Sequence, residues 1–350
     1  MRIHRLLVSA FAVALAGVTL TPIVGVTRGE TPEGCLLPNR AMTMYVEELP
    51  RVDGKPRLGY GLTPDSASYP GPTIEMLEGE CLAITVVNDV SAETLLELRN
   101  DPVVGGGDAD DPLGVSLHTH GVKYLPSSDG TFENDSIVPV GGSRTYVWYA
   151  QPRVRLPNGL IGPGTAGYWW YHDHVVGTAH GTGGTASGLF GALIVRRPED
   201  PKPDKTFVVG FGPDATINLR KYPATDCDPE QPIPSNSCYV ATEGELVEFA
   251  VMGFGNDFHT FHLHGHNWAN NRTGLLRTTL DPVDVVDNRT LGPADSFGFS
   301  IVAGASVGPG DWMLHCHVQL HSDSGMTTFL HVLDEDGDPL APMPVPLHDH

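Results

Sequence analysis

Apolar residues along this chain fall in short bursts, with few long helical stripes. Runs such as CLAITVVNDV, SRTYVWYA, LVEFAVMGF and MTTFLHVL are rich in Val, Thr, Ile, Phe and Tyr, and Gly, Pro, Asp or Asn bound them. Runs of this kind between turn formers predict strands, and the predicted class is all-β. One run differs. MRIHRLLVSAFAVALAGVTL opens the chain, with Arg2 and Arg5 ahead of an apolar stretch that has no later counterpart. That is the layout of a secretory signal, too short for a comfortable membrane span, and residues 1–30 are assigned to it. A retained N-terminal anchor is the alternative; the expectation is an extracytoplasmic protein with no stable membrane anchor.

A second pattern lies in the histidines. Four His-x-His units occur: His118-Thr119-His120, His172-Asp173-His174, His262-Leu263-His264 and His315-Cys316-His317. His118 and His172 are 54 residues apart, His262 and His315 are 53 apart, and the two pairs are offset by 144 and 143. Such regularity implies a duplicated domain with one unit early and one late in each copy. A strand run follows the late unit in both copies, which fits a Greek-key β-sandwich. The Pro- and charge-rich RRPEDPKPDK falls between the copies. The predicted organisation is therefore a first domain at 31–198, a linker at 199–205, a second domain at 206–336 and a tail at 337–350.

Strand geometry turns this spacing into chemistry. Residues i and i+2 face one side of a strand, so each His-x-His projects two imidazoles together and its middle residue the other way. Four paired units in a duplicated frame point to metal rather than to structural histidines. Cys316 then faces away from His315 and His317, and its thiolate can bind one metal while its neighbours bind another cluster. His259, three residues before His262, falls on the thiolate side by the same parity. His321 and Met326 follow on a loop, where parity says nothing. Two histidines, a thiolate and a weak thioether are the ligand set of a blue-copper electron-transfer site. Zinc would accept Cys and His as well, but it cannot change redox state, and the short path through Cys316 would then serve nothing. Shifted back by the repeat, His259, Cys316, His321 and Met326 fall on Val115, Asp173, Thr178 and Gly183, so the first copy lacks this site.

The net charge of −21 over 350 residues excludes a nucleic-acid partner and fits solubility outside a cell. Four cysteines remain besides Cys316. Cys227 and Cys238 bracket a Pro/Ser/Asn loop, and Cys35 could reach Cys81 within one domain; this is one of three possible connectivities. Closing those loops would stabilise by about 3 and about 4 kcal/mol on the chain-entropy model.

In HTHG, YHDHVVG, HTFHLHGH and HCHVQLHSDSGM the chain resembles the multicopper oxidases. With SSDGT, GPADSFGF and YHDHVVGTAHGTGG it is more closely similar to the two-domain small laccases of bacteria, over nearly all of the chain after the signal. The resemblance implies two cupredoxin-like domains and four coppers: type 1 on His259, Cys316, His321 and Met326; type 2 on His118 and His262; a type 3 pair on His120, His172, His174, His264, His315 and His317. It implies one-electron oxidation of phenolic or other aromatic reductants at the type 1 copper, electron transfer through Cys316 to His315 and His317, and reduction of O2 to water at a trinuclear cluster. It also puts Tyr124 and Asp129 near the type 2 copper, with Asp129 relaying protons; the alternative is that Asp129 caps a turn before Gly130. Each copy supplies only four of the eight cluster histidines and the linker is short, so a homotrimer with clusters between subunits is expected. A metal-ion oxidase with the same coppers and a two-domain copper nitrite reductase are the alternatives. His180, His266 and His331 read as supporting or structural residues, and His348 and His350 lie on the tail.

Overall fold

The computed structural model describes residues 31–227 and 238–339; the signal assigned to residues 1–30, the 228–237 loop and the end of the tail with His348 and His350 lie outside them. Strands β1 (Arg40–Val52), β2 (Lys55–Gly61), β3 (Gly71–Leu77), β4 (Cys81–Asn88), β5 (His118–Thr119), β6 (Ser143–Tyr149), β7 (Gly167–His172) and β8 (Phe190–Arg196) form two sheets, ordered β2-β1-β4-β6 and β3-β8-β7-β5. A second set follows: β9 (Lys205–Gly212), β10 (Thr216–Ile217), β11 (Tyr239–Thr242), β12 (Leu246–Gly253), β13 (His259–Leu263), β14 (Asn288–Leu291), β15 (Ser296–Val302), β16 (Gly310–Cys316) and β17 (Thr327–Leu333). Its sheets are ordered β10-β9-β12-β15 and β11-β17-β16-β13-β14. The order repeats: β1-β4-β6 corresponds to β9-β12-β15, and β3-β8-β7-β5 to β11-β17-β16-β13. Polarity repeats with it, since β1–β4 and β9–β12 are parallel while β4–β6 and β12–β15 are antiparallel. The fold is the predicted all-β pair of cupredoxin-like sandwiches. The α-helices among the described residues are short, at Ala92–Asn100, Thr182–Ser187 and Gln319–Asp323, and none is long and apolar enough to cross a membrane.

Each sandwich closes on its own core. Met44, Ile84 and Trp148 meet Ile74, Leu193 and Tyr171 across the first; Phe249, Phe299 and Val209 meet Phe261, Leu314 and Leu330 across the second. Disulfides join Cys35 to Cys81 and Cys227 to Cys238, and Cys316 is a buried free thiol.

A third apolar cluster joins the sandwiches and explains why some strands do not alternate. On β8, Leu193 and Val195 enter the first core, while Phe190, Ala192 and Ile194 face the second domain. Both faces of the strand are dry, so the run is continuously apolar. On β12, Val247, Phe249 and Val251 face the second core, while Ala250 and Met252 face the first domain. The junction thus packs β3-β8-β7-β5 against β10-β9-β12-β15. The remaining sheet of the second domain, which carries His262 on β13 and His315 on β16, is on the side away from the first domain.

One buried charge network sits in this junction. Glu248 is fully buried and accepts hydrogen bonds from Arg196, from Tyr168 Oη (2.9 Å) and from Thr206 Oγ1 (2.7 Å). Arg196 also donates to Glu75 at 2.9 and 3.2 Å. Trp170 Nε1 donates to the Ala294 carbonyl, and Ser296 Oγ to that of Tyr168.

Candidate metal centre

Three separate groups of histidine and cysteine side chains form, and strand parity aims the members that lie on strands. The first is buried at the end of the second sandwich. Cys316 closes β16, His259 opens β13 and His321 sits in the short helix Gln319–Asp323. Cys316 Sγ lies 3.9 Å from His259 Nδ1 and 3.7 Å from His321 Nδ1. A metal held at roughly 2.1 Å by nitrogen and 2.3 Å by sulfur, at the trigonal angle of about 120° of two-histidine, one-cysteine sites, spans roughly 3.8 Å between those atoms. The donor set therefore fits a metal in geometry as well as in chemistry. Met326 is fully buried beside it, its carbonyl accepting from Cys316 N at 3.1 Å and its own amide donating to His321 O at 3.0 Å. The Thr260 amide donates to Cys316 Sγ at 3.4 Å. Burial, with the neighbouring His321, lowers His259 to about 4, so it stays neutral and ready to ligate. Burial pushes the free Cys316 thiol up, and only a bound cation or strong base would hold it as thiolate.

The second group lies on β5 and β7 and the turns after them. His120 Nε2 is 3.2 Å from His172 Nε2, and the His118 ring is 5.3 Å from both rings and 5.0 Å from that of His174. Backbone carbonyls select the tautomers. His118 Nδ1 donates to Asp129 O (2.7 Å), His172 Nδ1 to Asp173 O (2.7 Å) and His174 Nδ1 to Ala179 O (3.1 Å). A carbonyl can only accept, so Nδ1 carries the proton and Nε2 is left with its lone pair. Burial lowers His120 to about 4 and His172 well below its ordinary value, which keeps both unprotonated.

The third group repeats the second. His264 Nε2 is 3.3 Å from His315 Nε2, His262 Nδ1 donates to Asp287 O at 2.9 Å, and His315 Nδ1 donates to Cys316 O at 2.9 Å. The His317 ring lies 5.3 Å from those of His262 and His315. His118, His120 and His172 bring donor atoms within 4.8 Å of one another, as do His262, His264 and His315; His174 and His317 adjoin these triads by ring contact. Among the described residues, no such grouping or ring contact joins a histidine of one domain to one of the other. The first-domain histidines instead line a cavity of about 640 Å³, bounded by second-domain loops carrying Asp214, Phe254 and Asp257.

Asp129 stands behind His118. Its Oδ1 is 3.5 Å from His118 Nδ1, and its Oδ2 accepts from Thr131 Oγ1 (3.0 Å) and Asn134 Nδ2 (2.6 Å). It also ends the 3₁₀ turn Pro126–Ser128 ahead of Gly130, so turn cap and histidine neighbour coincide in one residue. Tyr124 lies 5.9 Å from His118, and burial together with the Asp129 carboxylate raises it to about 12. His266 is structural, donating to His264 O and accepting from Gly304 N. His331 is clamped between Asp311 (2.7 Å) and Asp226 (2.8 Å), and His180 touches the His174 ring at 5.5 Å.

Sequence reasoning passed over Trp170, whose indole stacks on His172 at 4.2 Å and on His120 at 5.0 Å. The signal was available: Tyr168, Trp170 and His172 alternate on one face of β7, so the face that packs the domain junction runs into the histidines. It also gave no role to the Asp173 carboxyl, which is fully buried and raised by that burial to about 6 against the amides of Val176, Val175 and Ser116.

Two cupredoxin-like sandwiches, a buried Cys/His/His site and two half-sets of paired histidines define a copper protein of the oxidase class. Residues 200–336 match the family model described as multicopper oxidase, so the chain carries a domain of that family. It is 32% identical over 281 residues to a "Probable nitrite reductase-hydroxylamine oxidoreductase fusion protein" of Kuenenia stuttgartiensis, an alignment covering 77% of this chain and 28% of that protein. Among solved structures, the blue copper oxidase of Nitrosomonas europaea superposes with a TM-score of 0.55 at 20% identity, covering 87% of this chain and 89% of the other. The copper nitrite reductase of the same organism superposes with a TM-score of 0.54 at 17% identity over 87% and 97%. These two likenesses are likenesses of fold. The chain spans less than a third of the length of these curated relatives, from 28% of the Kuenenia protein down to 20% of laccase-2 of Agaricus bisporus.

Proposed function

We propose that the protein is a laccase-type oxidase that takes single electrons from phenolic or other aromatic reductants and delivers four to O2, forming water. The observation that carries this reading is Cys316. Its Sγ faces His259 and His321, while its peptide neighbours His315 and His317 belong to the set around His262 and His264. Bound copper would supply reversible one-electron chemistry at the first group and multi-electron reduction of O2 at the joined histidine sets. In this reading His259, Cys316, His321 and Met326 hold the type 1 copper. His118 and His262 hold type 2, and the other six paired histidines hold the type 3 pair. The rest is done by the chain. Cys316 is a covalent path only two peptide units long. Carbonyl partners keep the cluster imidazoles in the ligating tautomer. Asp129, its carboxylate beside His118 and hydrogen-bonded by Thr131 and Asn134, relays protons toward the oxygen-reducing site, with Tyr124 packed beside it.

The domain division at 199–205 and a homotrimer belong to the same reading. The second-domain half-set sits on the sheet turned away from the first domain, and the first-domain half-set opens on a cavity. A head-to-tail contact between chains brings unlike half-sets together, and three such contacts close a ring. Export through residues 1–30 accords with the two disulfides.

The test is O2 uptake by the copper-loaded protein with a phenol, set against uptake with Cu(I) and against nitrite turnover. Phenol-driven uptake is expected to dominate. Nitrite turnover without O2 uptake would overturn the reading, and strong preference for Cu(I) would make it a metal-ion oxidase. For the assembly, a monomer by sedimentation that retains four coppers and full O2 reduction would rule out clusters between subunits.

A further inference from the structure

Asp173 stands in the first domain where Cys316 stands in the second, and the equivalent backbone amide approaches each. Ser116 lies 144 residues before Thr260. In the second domain the Thr260 amide donates to Cys316 Sγ at 3.4 Å. In the first, the Ser116 amide donates to Asp173 Oδ2 at 2.7 Å. The other carboxylate oxygen, Oδ1, accepts from Val175 N at 2.9 Å and Val176 N at 2.6 Å. The positions matching the remaining type 1 ligands are Val115, Thr178 and Gly183, which offer no imidazole or thioether. The helix Thr182–Ser187 closes tightly over the carboxylate, since a Cβ on Gly184 would meet Oδ1 at 2.5 Å. Where the second domain has room for a metal, the first has a buried anion.

That anion ties together the parts that aim the first-domain histidines. Asp173 is flanked by His172 and His174. Ser116, two residues before His118, also accepts from the His174 amide through its Oγ at 2.9 Å. One carboxylate thus fastens the approach of β5 to the turn after β7, and so fixes His118, His172 and His174 relative to one another.

We propose that Asp173 is a positioning residue for the oxygen-reducing cluster, its buried carboxylate doing in the first domain the structural work that the copper thiolate does in the second. The inference rests on the cluster reading given above. Three amides converge on two oxygens, and a carboxamide can offer only one of them, so Asp173→Asn orphans at least one buried amide with little change of shape.

The experiment compares wild type, Asp173→Asn and Ser116→Ala after copper loading, by copper count, visible thiolate-to-copper absorption, thermal midpoint and stopped-flow re-oxidation by O2. Asp173→Asn is expected to keep the visible absorption, because that site lies wholly in the other domain. It should lose cluster copper or slow re-oxidation by about 10–100-fold, the usual loss when a support behind a metal ligand is removed. Ser116→Ala keeps the carboxylate and its three amides but removes the hydroxyl that accepts from the His174 amide and bonds to the Asp173 carboxylate; if Asp173→Asn fails to fold, a slower re-oxidation with intact visible absorption in Ser116→Ala carries the test. Wild-type copper content and re-oxidation in both variants would overturn the proposal. Proportional loss of visible absorption and cluster copper, with a lowered thermal midpoint, would reduce Asp173 to a general fold-stabilising residue and overturn it too. A wild-type protein with no visible absorption, or only one copper, would instead refute the functional reading.

Discussion

Removing the Arg196 guanidinium should loosen the junction between the sandwiches and, through it, the first-domain histidines. Glu248 is fully buried and its carboxylate is satisfied by four donors, two of them on Arg196. Arg196→Met fills much of the space but leaves Glu248 with the two hydroxyls of Tyr168 and Thr206 and no countercharge. Breaking a buried pair from one side costs about 3–5 kcal/mol, a large share of a typical total of roughly 5–15 kcal/mol. Glu75 adds little to the loss, because its side chain is half exposed and water can replace the guanidinium. The double variant Arg196→Met with Glu248→Met removes both charges, so it should cost less than the single one. With a urea dependence of about 1–3 kcal/mol per molar, the single variant should unfold at least about 1 M earlier. Tyr168 shares its strand face with Trp170 and His172, and the copper-loaded variant should therefore also lose cluster copper while keeping the Cys316 absorption. Urea unfolding followed by tryptophan fluorescence, with copper counts on the same samples, measures both. A single variant within about 1 kcal/mol of wild type, or a double variant worse than the single, would refute the assignment of the network as the junction's charged clasp.

Three further outcomes are expected. Cys316→Ser should abolish the visible thiolate-to-copper absorption and nearly all phenol oxidation while the paired histidines still take up copper; a coloured, active variant contradicts the role given to the thiolate. Asp129→Asn should slow re-oxidation by O2 by roughly 10²–10⁴-fold if the carboxylate relays protons and leave reduction by the phenol unchanged, so a wild-type re-oxidation rate in stopped flow argues for the turn-cap role alone. The metal-free protein should weaken on acidification, since burial holds His120 neutral down to about pH 4 in the folded chain, whereas the unfolded chain takes up that proton near pH 6.5. The stability is present above pH 6.5 and lost as the pH falls toward 4, by about 3 kcal/mol for His120; thermal midpoints that stay level over that range would contradict it.

Some of this protein is determined by sequence alone, because strand parity and repetition are local rules. The two-residue spacing in each His-x-His unit aims both imidazoles to one side. The odd offset of His259 from His262 puts it across from Cys316, where it lies 3.9 Å from the sulfur. The duplicated spacing anticipates the matching strand orders of the two sandwiches. Other features have no local period and were decided by tertiary structure. His321 sits in a helical turn, where parity is silent. The proton on His118 is placed by the Asp129 carbonyl, 11 residues on, and that on His262 by the Asp287 carbonyl, 25 residues on, and only loop closure sets those partners. Asp173 reads in sequence as a polar residue between two histidines; its meaning comes from the Ser116 amide, 57 residues earlier, pointing into the position a sulfur fills in the other domain. The sheet that each half-set occupies, and hence the separation of the half-sets within one chain, follows from which face of β8 and β12 becomes the junction. Both faces of those strands are apolar, so their sequence carries no alternation to choose between them, and packing against the partner domain decides.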